Sequence, residues 1–150
     1  MVNKNEVFVE NTKYIGILIK RIDDAIAKIA NKELEEKDVT FSQMHMLWTL
    51  KDAKDGILTL KELEKSLRLA QPTTLGIAKR LEGKGFVEGS FDDAAKRTKY
   101  IKIAPKGKEI CRSSRAHMDE TEGRLLKGLS KGDRALLYEL LLKLSKNMET

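Results

Sequence analysis

The chain has 150 residues, enough for one domain with a sizeable core, and 41% apolar content with two prolines excludes a disordered tail. Aromatic residues make up 5%, too few for a stacking platform for single-stranded nucleic acid, and the single cysteine excludes an internal disulfide framework. The net charge is +6, and residues 71–108 supply five of those charges, with nine Lys/Arg against four Asp/Glu. That concentration suits a polyanion.

The N-terminal stretch MVNKNEVFVENTKY lacks the basic-then-apolar order of a signal peptide, and no membrane-length apolar run occurs, so a soluble, cytoplasmic protein is expected. From Phe8 to about Ala30, Ile15, Leu18, Ile19, Ile22, Ala25, Ile26 and Ile29 recur at spacings of three and four, an apolar helical stripe. Thr40 with Gln43 forms a capping box that opens a second helix carrying Met44, Met46, Leu47 and Leu50, and DAKDG ends it near Gly56. Thr59 with Glu62 caps a third helix whose stripe is Leu60, Leu63 and Leu67.

The next helix starts at Gln71 or Pro72. Helical spacing puts Thr74, Leu75, Ile77, Ala78 and Leu81 towards the core, and Pro72, Thr73, Gly76, Lys79 and Arg80 on the opposite side, with Gln71 at the helix start. Gln, Thr and Arg are side chains that read base edges, and Lys and Arg also hold phosphates. The alternative is an ordinary solvated face.

Gly83 and Gly85 are expected to end this helix in the left-handed conformation. Phe86 and Val87 then begin a strand, and Tyr100, Ile101 and Ile103 supply its return partner. GSFDDAAKRTK forms the hairpin tip between them. Lys96, Arg97 and Lys99 stand at the outgoing base of that hairpin, where a long cation can enter a minor groove. This order is that of a helix-turn-helix with a β-hairpin wing, and it favours the DNA-reading face over the solvated one.

Pro105 is placed to open a long helix towards the 120s, and Ser130 with Asp133 caps a last helix bearing Leu136, Leu137, Leu140, Leu141, Leu144 and Met148. The first and last helices either pack on each other within one chain or also pair with a symmetry mate. Together their stripes exceed what one winged unit can cover, which favours a homodimer built from Ile15, Ile19, Ile22, Leu137, Leu140, Leu141 and Leu144.

The run PTTLGIAKRLEGKGFVE, followed by DD and KRTKYIKIAPKG, resembles the winged-helix core of the MarR family of bacterial transcription regulators. VTFSQMHMLWTL resembles that family's second-helix signature. The resemblance implies an obligate homodimer on pseudo-palindromic double-stranded DNA, usually a repressor, released in many members by a small phenolic or lipophilic ligand or by an oxidant. It places Thr73 and Arg80 at recurrent positions of the recognition helix and Arg97 at the wing-tip arginine. Two positions depart from the family pattern. Ala95 stands where an aspartate orients the wing arginines, and Gly76 stands where the recognition helix often has an arginine.

The resemblance also implies an effector pocket between the first, second and fifth helices, where Tyr14, His45, Trp48 and His117 are the polar-tipped or aromatic residues available. Core packing for Trp48 and surface or capping roles for the histidines are the structural alternatives. Cys111 reads as a buried structural thiol, since thiol-sensing members use a cysteine in the N-terminal helix and this chain has none there.

His45 and His117 stand apart from any zinc-ligand spacing, no phosphate-binding loop or GxSxG elbow is present, and neither cofactor, metal nor enzymatic activity is expected. The expected fold is mainly α with a small β-wing. A winged helix-turn-helix spans residues 35–104, with helical dimerisation regions at 1–34 and 105–150 forming one domain. The competing function is a winged-helix interaction module whose basic face docks an acidic protein partner.

Overall fold

The computed structural model describes residues 13–92 and 97–149. Six helices and three short strands follow in order: α1 (Ile15–Leu34), α2 (Phe41–Asp52), β1 (Ile57–Thr59), α3 (Leu60–Leu67), α4 (Gln71–Gly83), β2 (Val87–Phe91), β3 (Lys99–Ile103), α5 (Pro105–Leu125) and α6 (Lys131–Asn147). Single turns of 3-10 helix at Glu35–Lys37 and Lys54–Gly56 follow α1 and α2.

Three helix starts are set by local hydrogen bonds. Thr40 Oγ1 accepts from the Gln43 amide and Gln43 Oε1 accepts from the Thr40 amide, each at 3.2 Å. The same reciprocal box joins Thr59 to Glu62 and Ser130 to Asp133. Each satisfies two amides that a helix start otherwise leaves without partners. Pro105 opens α5 at a position where a missing N–H costs nothing.

Helix α2 is the hub. Met44, Met46, Leu47 and Leu50 are wholly buried, and α2 packs against α3, α4, α5 and the sheet. Leu63 of α3, Ala78 and Leu81 of α4, and Ile101 and Ile103 of β3 complete this core. The sheet runs β1-β3-β2 and is antiparallel throughout, with Ile57 opposite Lys102 and Val87 opposite Ile103.

The first helix begins at Ile15 and continues to Leu34, four residues past Ala30, because Leu34 itself is buried and the turn comes only at Asp38. Phe8 lies outside the described residues. The strand β1 has no counterpart in the sequence reading, and β2 starts at Val87 rather than Phe86. Gly83 remains helical, and Gly85 alone takes the left-handed conformation, φ 79°. There the Gly85 amide donates to the Glu82 carbonyl and the Phe86 amide to the Leu81 carbonyl, which closes the helix and starts the wing.

The terminal helices contribute little to this core. No residue of α6 is buried, and Leu34 alone is buried in α1. Ile15, Ile19 and Ile22 are exposed, as are Leu140, Leu141 and Leu144, and Leu137 is half-buried.

Candidate nucleic-acid interface

Helices α3 and α4 are joined by the turn Arg68–Ala70. Leu63 and Leu67 fix α3 to the core, and Thr74, Ala78 and Leu81 fix α4. Thr74 is fully buried and its hydroxyl donates to the Ala70 carbonyl at 3.0 Å, so this threonine is structural. With that side inward, Gln71, Pro72, Thr73, Lys79 and Arg80 are left exposed on the outer face. Gly76 is half-exposed on the same face, and a side chain there would meet open space.

The β2–β3 hairpin projects beside this helix. The Asp92 amide donates to the Thr98 carbonyl at 3.0 Å and carries the ladder one step past the strands. Arg97 is exposed, and with Gln71, Thr59, Lys61, Glu64 and Lys99 it lines an open groove of about 470 Å³. The wing arginine and the start of α4 therefore share one concave surface. Lys96 and Ala95 lie outside the described residues.

Lys99 departs from its expected place as a free cation. Its side chain is 17% exposed, its ammonium lies 3.9 Å from Glu82 of α4, and the Phe91 ring centroid is 5.8 Å away. The cause is its position on β3, opposite Phe91 on the sheet face that α4 covers. Lys84 and Lys106 are also engaged within the fold. Lys84 donates to the Asp38 carbonyl at 2.6 Å, and Lys106 donates to the Lys84 carbonyl at 2.8 Å. Part of the basic concentration therefore holds elements together. Lys61 of α3, which lines the groove, was missed because nothing in its local pattern separates it from a solvated lysine.

A second cavity, of about 180 Å³, lies between α1, α2 and α5. Trp48 and His117 line it, with Ile26, Phe41 and Met118. Phe41 meets Trp48 edge-on at 6.2 Å, and His117 Nδ1 lies 3.9 Å from Glu33. Tyr14 and His45 are not among its lining residues. Tyr14 is exposed just before α1, and His45 stacks against Phe41, where partial burial pushes its imidazole below the usual range. The other lining residues are largely apolar, and nothing in the sequence separates them from ordinary core positions.

Cys111 is buried, and desolvation pushes its thiol above the usual range, which favours the unreactive protonated form. Among the described residues no group of three or more His, Cys, Asp or Glu is placed to hold a metal ion. No described helix is long and apolar enough to cross a membrane.

The family model described as the MarR family matches residues 39–99, from just before α2 to the return of the wing. The chain is 28% identical over 131 residues to the multiple antibiotic resistance protein MarR of Salmonella typhimurium, covering 87% of this chain and 90% of that one. It is 27% identical over 111 residues to the HTH-type transcriptional regulator Hpr of Bacillus licheniformis, a match that covers 74% of this chain. That match spans little more than half, 53%, of the length of Hpr. Among solved structures, a mutant MarR from E. coli complexed with operator DNA superposes with a TM-score of 0.78 at 27% identity, over 87% of this chain and 92% of that one. That family's model thus lies over the winged unit, and the chain is similar to MarR in sequence and fold over most of its length.

Proposed function

We propose that this chain is a sequence-specific double-stranded DNA-binding transcription regulator, acting as a homodimer on a pseudo-palindromic operator, usually to repress. One observation carries the reading: a helix held by its inner face presents Gln71, Thr73, Lys79 and Arg80 outward, and the exposed Arg97 of the wing lies beside its start. Residues 35–104 form the reading unit, in which α4 enters a major groove and the wing an adjacent minor groove. The E. coli MarR complex with operator DNA supports this reading.

The dimer rests on the exposed apolar faces of α1 and α6, within residues 1–34 and 105–150. Apolar patches of this extent are rare on a monomer, and a two-fold axis would cover them while setting two reading units side by side. A small aromatic or lipophilic effector is proposed to occupy the cavity lined by Trp48, Phe41 and His117.

Selection from a random duplex pool, followed by a salt titration on the enriched site, tests the reading. One palindrome should be enriched, and its affinity should fall steeply with salt, reflecting several phosphate contacts. A basic face that prefers an acidic protein would enrich no duplex sequence.

A further inference from the structure

The wing and the reading helix meet at an ion pair that sits in an unusual place. Glu82 lies in the last turn of α4, and its Oε2 is 3.9 Å from Nζ of Lys99, the first residue of β3. The Lys99 side chain is 17% exposed and that of Glu82 is 42% exposed, so water screens this pair less than a free surface pair. Gly89 of β2 makes room for it. A Cβ at Gly89 would come within 3.1 Å of both Glu82 carboxylate oxygens and 3.2 Å of Lys99 Cε. Phe91 stands opposite Lys99 in the ladder, with the ammonium 5.8 Å from its ring centroid.

Electrostatic attraction to DNA gives no reason for Glu82. A carboxylate on a helix that faces a polyanion weakens binding through the long-range field. Its geometric effect is different, because it ties the far end of α4 to the strand that leads out of the wing. Arg97 lies two residues before Lys99, just ahead of that strand.

We propose that Glu82 and Lys99, nested against Gly89, form a positioning joint that fixes the wing against α4 and sets the distance from Thr73 and Arg80 to Arg97. Its consequence for binding rests on the DNA-reading function proposed above. With the joint closed, the helix and wing meet their two grooves already in register. With it open, the wing swings and binding must first order it.

The test is Glu82→Gln, which keeps the shape and removes the charge, measured on the selected duplex and by amide hydrogen exchange of the free protein. The joint predicts binding weaker by about three- to tenfold, whereas charge alone predicts tighter binding. In an Arg97→Ala background the same change should have little further effect, because the loss acts through Arg97. The double exchange Glu82→Lys with Lys99→Glu should recover most of the loss. The Asp92 amide, which donates to the Thr98 carbonyl at the wing end of the ladder, should exchange several-fold faster in Glu82→Gln, while that of Ala104, which donates to the Phe86 carbonyl at the other end, stays unchanged. Unchanged exchange, or duplex binding that is unchanged or tighter, overturns the joint. A wild-type protein that binds no duplex overturns the DNA reading instead, and the exchange data still decide whether the joint holds the wing.

Discussion

Arg68 Nη2 donates to the Glu149 carboxylate at 2.6 Å, which ties the turn before α4 to the end of the chain just past α6. Arg68 does so from the left-handed region, φ 54°, where its amide and that of Leu69 close α3 on the Glu64 carbonyl. The conformation that suits glycine is thus held by an arginine whose side chain reaches the last helix. Both partners are more than half exposed, so the bridge contributes at most about 1 kcal/mol.

Replacing Arg68 separates the backbone strain from the bridge. Arg68→Ala and Arg68→Gly both remove the bridge, but only glycine relieves the left-handed backbone. Urea unfolding should find the glycine variant more stable than the alanine variant by about 1 kcal/mol. Equal stabilities would mean that the turn carries no strain.

Arg97→Ala should weaken binding to the selected duplex by about 1–3 kcal/mol, with little change in the urea midpoint, because an exposed cation at a hairpin adds little stability. A folded variant with unchanged affinity would remove the wing from the interface.

Thr73 and Lys79 share one exposed face of α4 but should act differently. Thr73→Ala should change base preference at one position of each half-site, whereas Lys79→Ala should weaken all sequences evenly and lower the salt slope by about one. Binding measured across a panel of single-base variants separates them. Equal, sequence-independent losses would show that Thr73 contacts backbone instead.

His45 gives the fold a pH dependence. Desolvation lowers its folded pKa below the ordinary 6.5, so the folded state takes up a proton less readily than the unfolded chain. Its contribution to stability is present above pH 6.5 and is lost as pH falls through the folded value. Stability measured between about pH 7 and about pH 5 should fall less steeply in His45→Gln than in the parent. An identical slope would mean that His45 titrates alike in both states.

Features decided within a few residues were legible in the sequence. The capping boxes at Thr40, Thr59 and Ser130 depend on hydrogen bonds spanning three positions, and the two faces of α4 follow from helical spacing alone. What depends on distant partners was not. The strand β1 exists because Ile57–Thr59 pairs with β3, and three residues carry no pattern of their own. Lys99 read as a wing cation because nothing local indicates that Glu82 lies across from it. The left-handed Arg68 was hidden for the same reason, since a non-glycine residue gives no signal for that conformation.

The central claim is that two copies of this winged unit read DNA about a two-fold axis. Hydroxyl-radical footprinting of the full chain on its selected duplex tests it most directly. Two symmetric protected regions, centred about one helical turn (~34 Å) apart on one face of the duplex, are the predicted result. A single protected region without symmetry, or no protection at concentrations that bind the duplex, would contradict it.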